Sequence, residues 1–257
     1  MYNKSIKISN IVEEKRMNLQ RIMSLTRKAI DDYHMIEDGD KIAIGISGGK
    51  DSLTLLSSLA GLRRFYPKRF TLVAVTVDIG FGNQDFHAIE AYCRQLDVDY
   101  HLLHTDINQL VFQERRETSP CALCAKMRKG ALNDAMKTLG CNKIAYAHHK
   151  DDVVETMLMS LIFEGRFHTF APVTYLDRIG LTVIRPLMYM DEHDVIQYVK
   201  ENQVPVAKSA CPVDGYTKRE YCKQLLKNLC HENPGVKERI FHAILKRKLW
   251  LDPDSDQ

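Results

Sequence analysis

Residues 41–59 read Lys-Ile-Ala-Ile-Gly-Ile-Ser-Gly-Gly-Lys-Asp-Ser-Leu-Thr-Leu-Leu-Ser-Ser-Leu. The first six, Lys41 to Ile46, are a short apolar run rich in isoleucine, which reads as a buried strand. Leu53, Leu55, Leu56 and Leu59 then recur at helical spacing. Between the two lies a polar glycine loop, Ser47-Gly48-Gly49-Lys50-Asp51-Ser52, so the unit is strand, loop, helix. Open α/β sheets place their ligands at such a junction. Adjacent glycines let backbone N–H groups approach a phosphate without Cβ clashes, and the helix N-terminus adds positive potential. Ser47, Ser52 and Lys50 supply further donors or charge. The G-x-x-x-x-G-K-[ST] spacing of a Walker loop is absent, and a purely structural turn is the competing reading.

Working outward, Leu19, Ile22, Met23, Thr26, Ala29, Ile30 and Tyr33 keep a helical spacing that stops at the turn Asp38-Gly39-Asp40. After the glycine loop and its helix, Leu72 to Val77 reads as a second apolar strand, ending in Asp78 and a loop with Gly80 and Gly82. The alternation continues with a helix through Ala88, Ala91 and Leu96, a strand from Val98 to Leu103, and a helix containing Ala131 to Leu139. Lys143 to Ala147 then reads as strand and Val153 to Phe163 as helix. From Asp191 the pattern is helical. Strands separated by helices predict an α/β fold, a parallel sheet with helices on both faces. Three segments follow: an N-terminal helical segment 1–39, an α/β nucleotide-binding domain 40–190, and a C-terminal helical region 191–257.

The chain has 257 residues, 45% of them hydrophobic and 27% charged, which excludes disordered and fibrous classes. No stretch approaches the roughly 18 uninterrupted apolar residues of a membrane span, and Met1 to Ser5 lead into no apolar signal core. A cytoplasmic protein with no membrane partner is expected. A net charge of +3 does not by itself mark a nucleic-acid binder. Its distribution is uneven, with eleven Lys/Arg against five Asp/Glu between Lys200 and Trp250. Two readings stand for that run: a solvated helical surface, or a face that neutralises the phosphates of a polyanion.

Seven cysteines, an odd number with no secretory signal, argue for metal or sulfur chemistry rather than disulfides. Cys121-Ala-Leu-Cys124 is the only C-x-x-C, and Lys126, Arg128 and Lys129 follow it. Two thiolates at this spacing can bind one metal centre or cluster, and nearby cations lower thiol pKa. Half of a zinc site, a redox pair and coincidence remain alternatives. A third ligand must come from afar, and Cys211 of Ala210-Cys211-Pro212 suits best, because Cys-Pro in a loop joins no packing stripe. Cys222 and Cys230 fall on an apolar helix face and read as core, with Cys222 a spare ligand; Cys93 and Cys141 read as structural.

The hexapeptide Ser47 to Ser52 after an apolar strand resembles the PP-loop of the ATP pyrophosphatase superfamily, whose fold is adenine nucleotide alpha hydrolase-like. The resemblance implies cleavage of ATP to AMP and pyrophosphate, with Ser47, Gly48, Gly49, Lys50 and Ser52 at the pyrophosphate and Asp51 near Mg2+. It puts adenosine near Asp78 and Gly80, where a plain strand-ending turn is the alternative. A midway C-x-x-C, the lone Cys-Pro, and Ala147-His148-His149-Lys150-Asp151-Asp152 together resemble the tRNA 2-thiocytidine synthetase group of tRNA thiolation enzymes. Arg185-Pro186-Leu187 and Asp38-Gly39-Asp40 also match it. The likeness covers residues 20–230. It implies a 4Fe-4S cluster on three cysteines, by position Cys121, Cys124 and Cys211. The chain lacks the zinc-ribbon cysteines that related thiouridine synthetases carry at both ends, and has one cysteine around Cys211 where the cytidine branch has two.

The implied reaction is adenylation of the C2 oxygen of an anticodon-loop cytidine, position 32, followed by replacement with sulfur. The partners would be tRNA and a sulfur donor, sulfide or a cysteine desulfurase persulfide, with a homodimer as one option. Arg128, Asp151 and Asp152 join Asp51 as candidate catalytic residues, and His148 as a nucleotide contact. Each has a plainer reading: solvated helix face for Arg128, helix N-cap for the aspartates, packing for His148. Two further functions compete: another PP-loop enzyme with structural zinc, for tRNA 2-thiouridine synthesis or lysidine or amide formation, and a non-catalytic iron-sulfur or sulfur carrier.

Overall fold

The computed structural model describes residues 19–82, 85–114, 120–207 and 218–251. Residues 19–32 form helix α1. The chain then runs β1 (Asp40–Gly45), α2 (Lys50–Leu62), β2 (Phe70–Asp78), α3 (His87–Gln95) and β3 (Asp99–His104). A π-helical turn (Gln109–Glu114) leads to α4 (Pro120–Thr138), β4 (Lys143–Ala145), α5 (Lys150–Glu164), β5 (Val173–Leu176) and β6 (Leu181–Ile184). Helices α6 (Glu192–Glu201), α7 (Lys218–Glu232) and α8 (Val236–Arg247) follow. No helix of the described residues is long and apolar enough to cross a membrane.

The six strands lie in the order β3-β2-β1-β4-β6-β5. Every pairing is parallel except β5 with β6, so the expected parallel sheet carries one antiparallel edge strand. In β1, Ile42 faces Leu72 of β2, Ala43 faces Val73 and Ile44 faces Ala74. Strands β2 and β3 wind outward on one side of β1, and β4 and β6 lie on the other. The winding therefore reverses between β1 and β4, and a crevice opens beyond their carboxyl ends.

Alternation along the strands sends side chains to two cores of unequal thickness. Ile42, Ile44, Leu72 and Ala74 pack with apolar residues of α1, α2, α3, α5, α6, α7 and α8. Ala43, Val73, Val75, Ile144 and Val183 pack beneath α4 alone, through Leu132 and Met136. Helix α2 is buried nearly all round, so its hydroxyls are satisfied inside. Thr54 Oγ1 donates to the Lys50 carbonyl and Ser57 Oγ to the Leu53 carbonyl, while Ser58 Oγ donates to Thr26 Oγ1 of α1. Cys93, Cys141 and Cys222 are buried, as packing residues are, and Cys230 is partly so.

Several boundaries differ from the periodicity. Helix α1 stops at residue 32 rather than at Asp38-Gly39-Asp40, because His34 takes a left-handed backbone (φ 49°) that a helix cannot continue. The Asp-Gly-Asp turn instead opens β1: Asp40 accepts from the Glu37 amide and pairs with buried Lys143 Nζ at 2.8 Å. Strand β4 ends at Ala145, two residues early, so that Tyr146, Ala147 and His148 are released to line the crevice.

Candidate active site

At the crevice between β1 and β4 sits a cavity of about 550 Å³. Ser47, Asp51 and Ser52 form one wall, Ala147, His148 and Asp152 a second, and Ala125, Arg128, Lys129 and Leu132 of α4 the roof. Gly45, Val75 and Val77 close its apolar floor. The glycine loop therefore faces the helix of the C-x-x-C motif across a single space.

The loop's shape depends on its first glycine. Gly48 has φ +80°, and a Cβ there would stand 3.0 Å from Ala207 Cβ and 3.4 Å from Ile89 Cδ1. Its carbonyl accepts the Ala207 amide at 2.9 Å, so backbone from beyond α6 braces the loop from behind. Ser47 Oγ accepts from the Gly49 amide and lies 3.3 Å from Ser52 Oγ, which donates to the Gly49 carbonyl. Gly49 gives α2 no side-chain cap, so the positive end of the helix stays open to an anion. Lys50 does not line the cavity. Its Nζ turns back to Asp51 Oδ2 and Glu192 Oε1, each at 3.0 Å.

Behind the loop lies a charge network joining α2, α5, α6, α7 and α8. Lys237 bridges Asp151 and Asp191 at 2.8 Å each, and Lys150 holds the other oxygen of Asp191. Asp151 also accepts from the Glu192 amide, and it does not line the cavity. Asp152 does, while accepting from the His149 amide at the start of α5 and from Arg219 Nη1. The helix-capping reading of that aspartate pair is thus realised by Asp152, and Asp151 serves the network. Burial alone would raise Glu192, but hydrogen bonds from Lys223 and Lys50 outweigh it and hold the carboxyl at about 2. Glu155 behaves oppositely: burial, then the Asp152 charge, push it up to about 7 although Arg219 lies 3.6 Å away. Buried His149 sits centrally, Nε2 3.6 Å from Asp51 Oδ1 and Nδ1 3.4 Å from Asp152 Oδ2.

Asp51 Oδ1 is buried without a hydrogen bond to any described residue. An orphaned carboxylate oxygen on a cavity-lining residue, with His149 Nε2 3.6 Å away, is the ligand chemistry a hard divalent cation uses. On the second wall, His148 stacks on Phe170 with ring centroids 4.6 Å apart, and its Nδ1 lies 3.2 Å from Arg185 Nε. Burial, then the Arg185 charge, lower His148 to about 4, and burial lowers Arg185 to about 10.

Asp78 and Gly80 lie at the end of β2, beyond cavity-lining Val77. There Asp78 accepts the Gly80 amide and approaches His104 Nδ1 at 3.1 Å. Gly80 is sterically required, since a Cβ would meet the Thr105 carbonyl at 2.8 Å. On α4, Arg128 and Lys129 line the roof and form no ion pair with a described residue, whereas Lys126 faces a separate groove with Leu110, Leu123 and Met127. Cys124 is half-buried beside roof residue Ala125. The backbone of Cys121 belongs to α4, but its side chain, and Cys211 entirely, fall outside the described residues. Of Cys211's described flanks, Ala207 is bonded to Gly48 and Arg219 to Asp152.

Sequence reading assigned no role to Arg185, Glu192, Arg219 or Lys237. Arg185 was visible only as the start of Arg-Pro-Leu, Arg219 and Lys237 only as members of the basic run, and Glu192 not at all.

The chain matches the PP-loop domain family over residues 17–228. It is 41% identical over 228 residues to a tRNA-cytidine(32) 2-sulfurtransferase of Geobacter sulfurreducens, covering 88% of this chain and 89% of that one. With the corresponding protein of Geobacter metallireducens the identity is 39% over 236 residues, 91% of each chain. Among solved structures, the U34-tRNA thiolase NcsA from Methanococcus maripaludis with its [4Fe-4S] cluster superposes with a TM-score of 0.76. The match has 23% identity and covers 93% of this chain and 81% of that one, a likeness of fold. A glycine loop at the switch point of the sheet and kinship at this level of identity over 88% or more of the chain place it in the PP-loop family, among the tRNA-cytidine(32) 2-sulfurtransferases.

Proposed function

We propose that this chain is an ATP-dependent sulfurtransferase that adenylates the C2 oxygen of a tRNA cytidine at position 32 and replaces it with sulfur. The observation that carries the reading is the shared cavity: the glycine loop and the open end of α2 on one wall, Arg128, Lys129 and the C-x-x-C helix above. The relatives' activity supplies the reaction.

The C2 oxygen of cytosine is a poor leaving group, and attaching AMP makes its departure easy. Ser47, Ser52 and the amides of the loop face the pyrophosphate portion of ATP, and the carboxylate of Asp51 would hold Mg2+, which would offset the charge of the leaving pyrophosphate. Arg128 and Lys129 face the loop from α4 and steady the adenylate while sulfur displaces AMP. Asp152 orients the start of α5 against the nucleotide, and Asp151, drawn to Lys237, positions that helix instead of touching substrate.

A 4Fe-4S cluster on Cys121, Cys124 and Cys211 would leave one iron open to carry the sulfur. The fit is supported at Cys124, next to the cavity roof. Cys211 follows Ala207 by four residues, at most about 14 Å of chain, and Ala207 touches the loop. Sulfide would supply the sulfur at the right oxidation level, whereas a desulfurase persulfide would do so only with a two-electron reductant such as a thiol, which leaves as disulfide; a tRNA substrate supports a cytoplasmic location.

The test is anaerobic reconstitution with iron, sulfide, ATP, Mg2+ and unmodified tRNA, followed by digestion and mass spectrometry of nucleosides. 2-Thiocytidine should appear with the wild type and be absent with Cys121→Ala. AMP and pyrophosphate without a thionucleoside would keep the ATP chemistry and overturn the acceptor.

A further inference from the structure

Arg185 stands at the end of β6 and reaches under the second wall of the cavity. Its Nη1 donates to the Ala171 carbonyl and lies 3.3 Å from Thr174 Oγ1, and its guanidinium sits 4.8 Å from the Phe170 ring centroid. Those contacts fix the direction of its Nε–H, which points at His148 Nδ1 from 3.2 Å. A guanidinium nitrogen can only donate. Nδ1 must therefore accept, and the single ring proton of a neutral His148 belongs on Nε2. A doubly protonated ring would set N–H against N–H and one cation against another.

The ring cannot turn freely to escape this, because Phe170 stacks on it and Tyr146 lies 5.9 Å away. The charged groups around it are Arg185 from β6, Asp152 from α5, Arg219 from α7, and His149 beside it. Only Asp152 favours protonation, and burial with the three cationic or titratable neighbours outweighs it. Arg128 and Lys129 add positive charge from across the cavity. Nε2 is the one polar ring atom not engaged with a described residue, on a side chain that lines the cavity.

We infer that Arg185 locks His148 as the neutral Nε2–H tautomer, making it a fixed hydrogen-bond donor to a charge-bearing oxygen of the bound nucleotide and not an acid or base of the reaction. Arg185 is a positioning residue acting through His148. The inference rests on the nucleotide reading of the cavity. The accepting oxygen belongs either to the α-phosphate of ATP, which is charged as pyrophosphate leaves, or to the C2 oxygen of the adenylated base, which takes the electron pair of the broken C2–O bond as AMP departs; a preset donor is worth most at such an oxygen.

The first readout needs no activity. In the full chain with 15N-labelled histidine, long-range proton–nitrogen spectra should show the His148 ring, identified by its loss in His148→Gln, as Nε2–H and unchanged between pH 5.5 and 8. In Arg185→Gln the burial stays but the cation and the Nε–H donor are gone, so the same ring should show Nδ1–H beside Nε2–H and its titration should move upward from the wild-type position. An Nδ1–H ring, or wild-type titration above pH 6, overturns the lock whatever the function proves to be. The second readout uses His148→Gln, whose amide keeps a donor near Nε2, and His148→Ala, which has none. Loss of the donor should cost on the order of 10²-fold, and glutamine should recover most of it. If the oxygen is on ATP, the alanine loss appears as weaker binding of a non-hydrolysable ATP analogue without tRNA. If it is on the base, that binding is unchanged and AMP release at saturating ATP falls. Glutamine as impaired as alanine, or alanine as active as wild type, overturns the donor. Absence of thiolation by the wild type would instead sink the proposed reaction and leave the tautomer and analogue binding to be judged separately.

Discussion

The two faces of the sheet differ in how they are held. One carries α1, α2, α3 and α5 to α8 in a single core, laced by ion pairs such as Lys237 to Asp151 and Asp191. The other carries α4 alone, anchored by Leu132 and Met136, while Ala125, Arg128 and Lys129 face a cavity. The thick face uses its charges on itself. The thin face leaves cations without internal partners among the described residues and puts the C-x-x-C beside them. Stability and chemistry are thus separable, and substitutions should sort by face.

The largest expected effect is on the thin face. Cys124→Ala should lower thiolation by roughly three orders of magnitude, as removing a member of a catalytic unit does. Cys124 is only half-buried, so stability should stay within about 0.5 kcal/mol. Thiolation and thermal melts of the same preparation check it, and a large loss of stability would break the separation. The thick face should answer in reverse. Lys237→Ala leaves Asp151 and Asp191, both largely buried, without their shared cation, and should cost about 3 kcal/mol in denaturant unfolding. A loss below about 1 kcal/mol would mean that Lys150 alone serves Asp191.

That contrast was only partly legible in the sequence. The strand, loop and helix around Ser47 to Ser52 were readable because every determinant is local: isoleucines, a glycine pair, leucines at helical spacing. Helical periodicity shows that a face is buried but not which side of the sheet buries it, so the solitary position of α4 was hidden. The ion pairs were hidden too, since Lys237 and Asp151 are 86 residues apart and Lys150 and Asp191 41 apart. Arg219, Lys223 and Lys237 stood in the basic run as surface or phosphate-binding charges, and the fold places them on internal carboxylates. The edge strand β5 is four residues long and too short to announce itself.

Glu155 sharpens the comparison from inside the thick face. Burial raises its carboxyl to about 7, well above the ordinary 4.5. The folded state therefore holds this proton through a range where the unfolded chain has released it, and ∂ΔG/∂pH for unfolding is negative there. The stability it contributes is full below about pH 4.5 and is lost as pH rises through 7. Glu155→Gln keeps the shape without the charge, so it should gain on the order of 2 kcal/mol relative to wild type at pH 8, and the gain should vanish near pH 4. Denaturant midpoints across that range measure it; no gain, or a loss, at pH 8 would show that Arg219 offsets the charge and that the fold does not hold Glu155 protonated.

The smallest effect concerns the basic residues that the network does not consume. Lys246, Arg247 and Lys248 end α8, are exposed, and form no ion pair with a described residue. Lys218, Arg219, Lys223 and Lys237 already face rings or carboxylates, Lys208 lies outside the described residues, and Lys200, Lys227 and Arg239 are exposed elsewhere, so this helix end is the one place where three consecutive cations of the run stand free for phosphate contacts among the described residues. Replacing all three with Glu should weaken tRNA binding about tenfold and reduce the slope of log affinity against log salt by about 2, near 0.7 per lost contact. Titration of fluorescent tRNA at several salt concentrations gives both numbers. An unchanged slope would remove α8 from the footprint and leave Arg128 and Lys129 on the thin face to carry the charge of the RNA, which would make the division between the two faces complete.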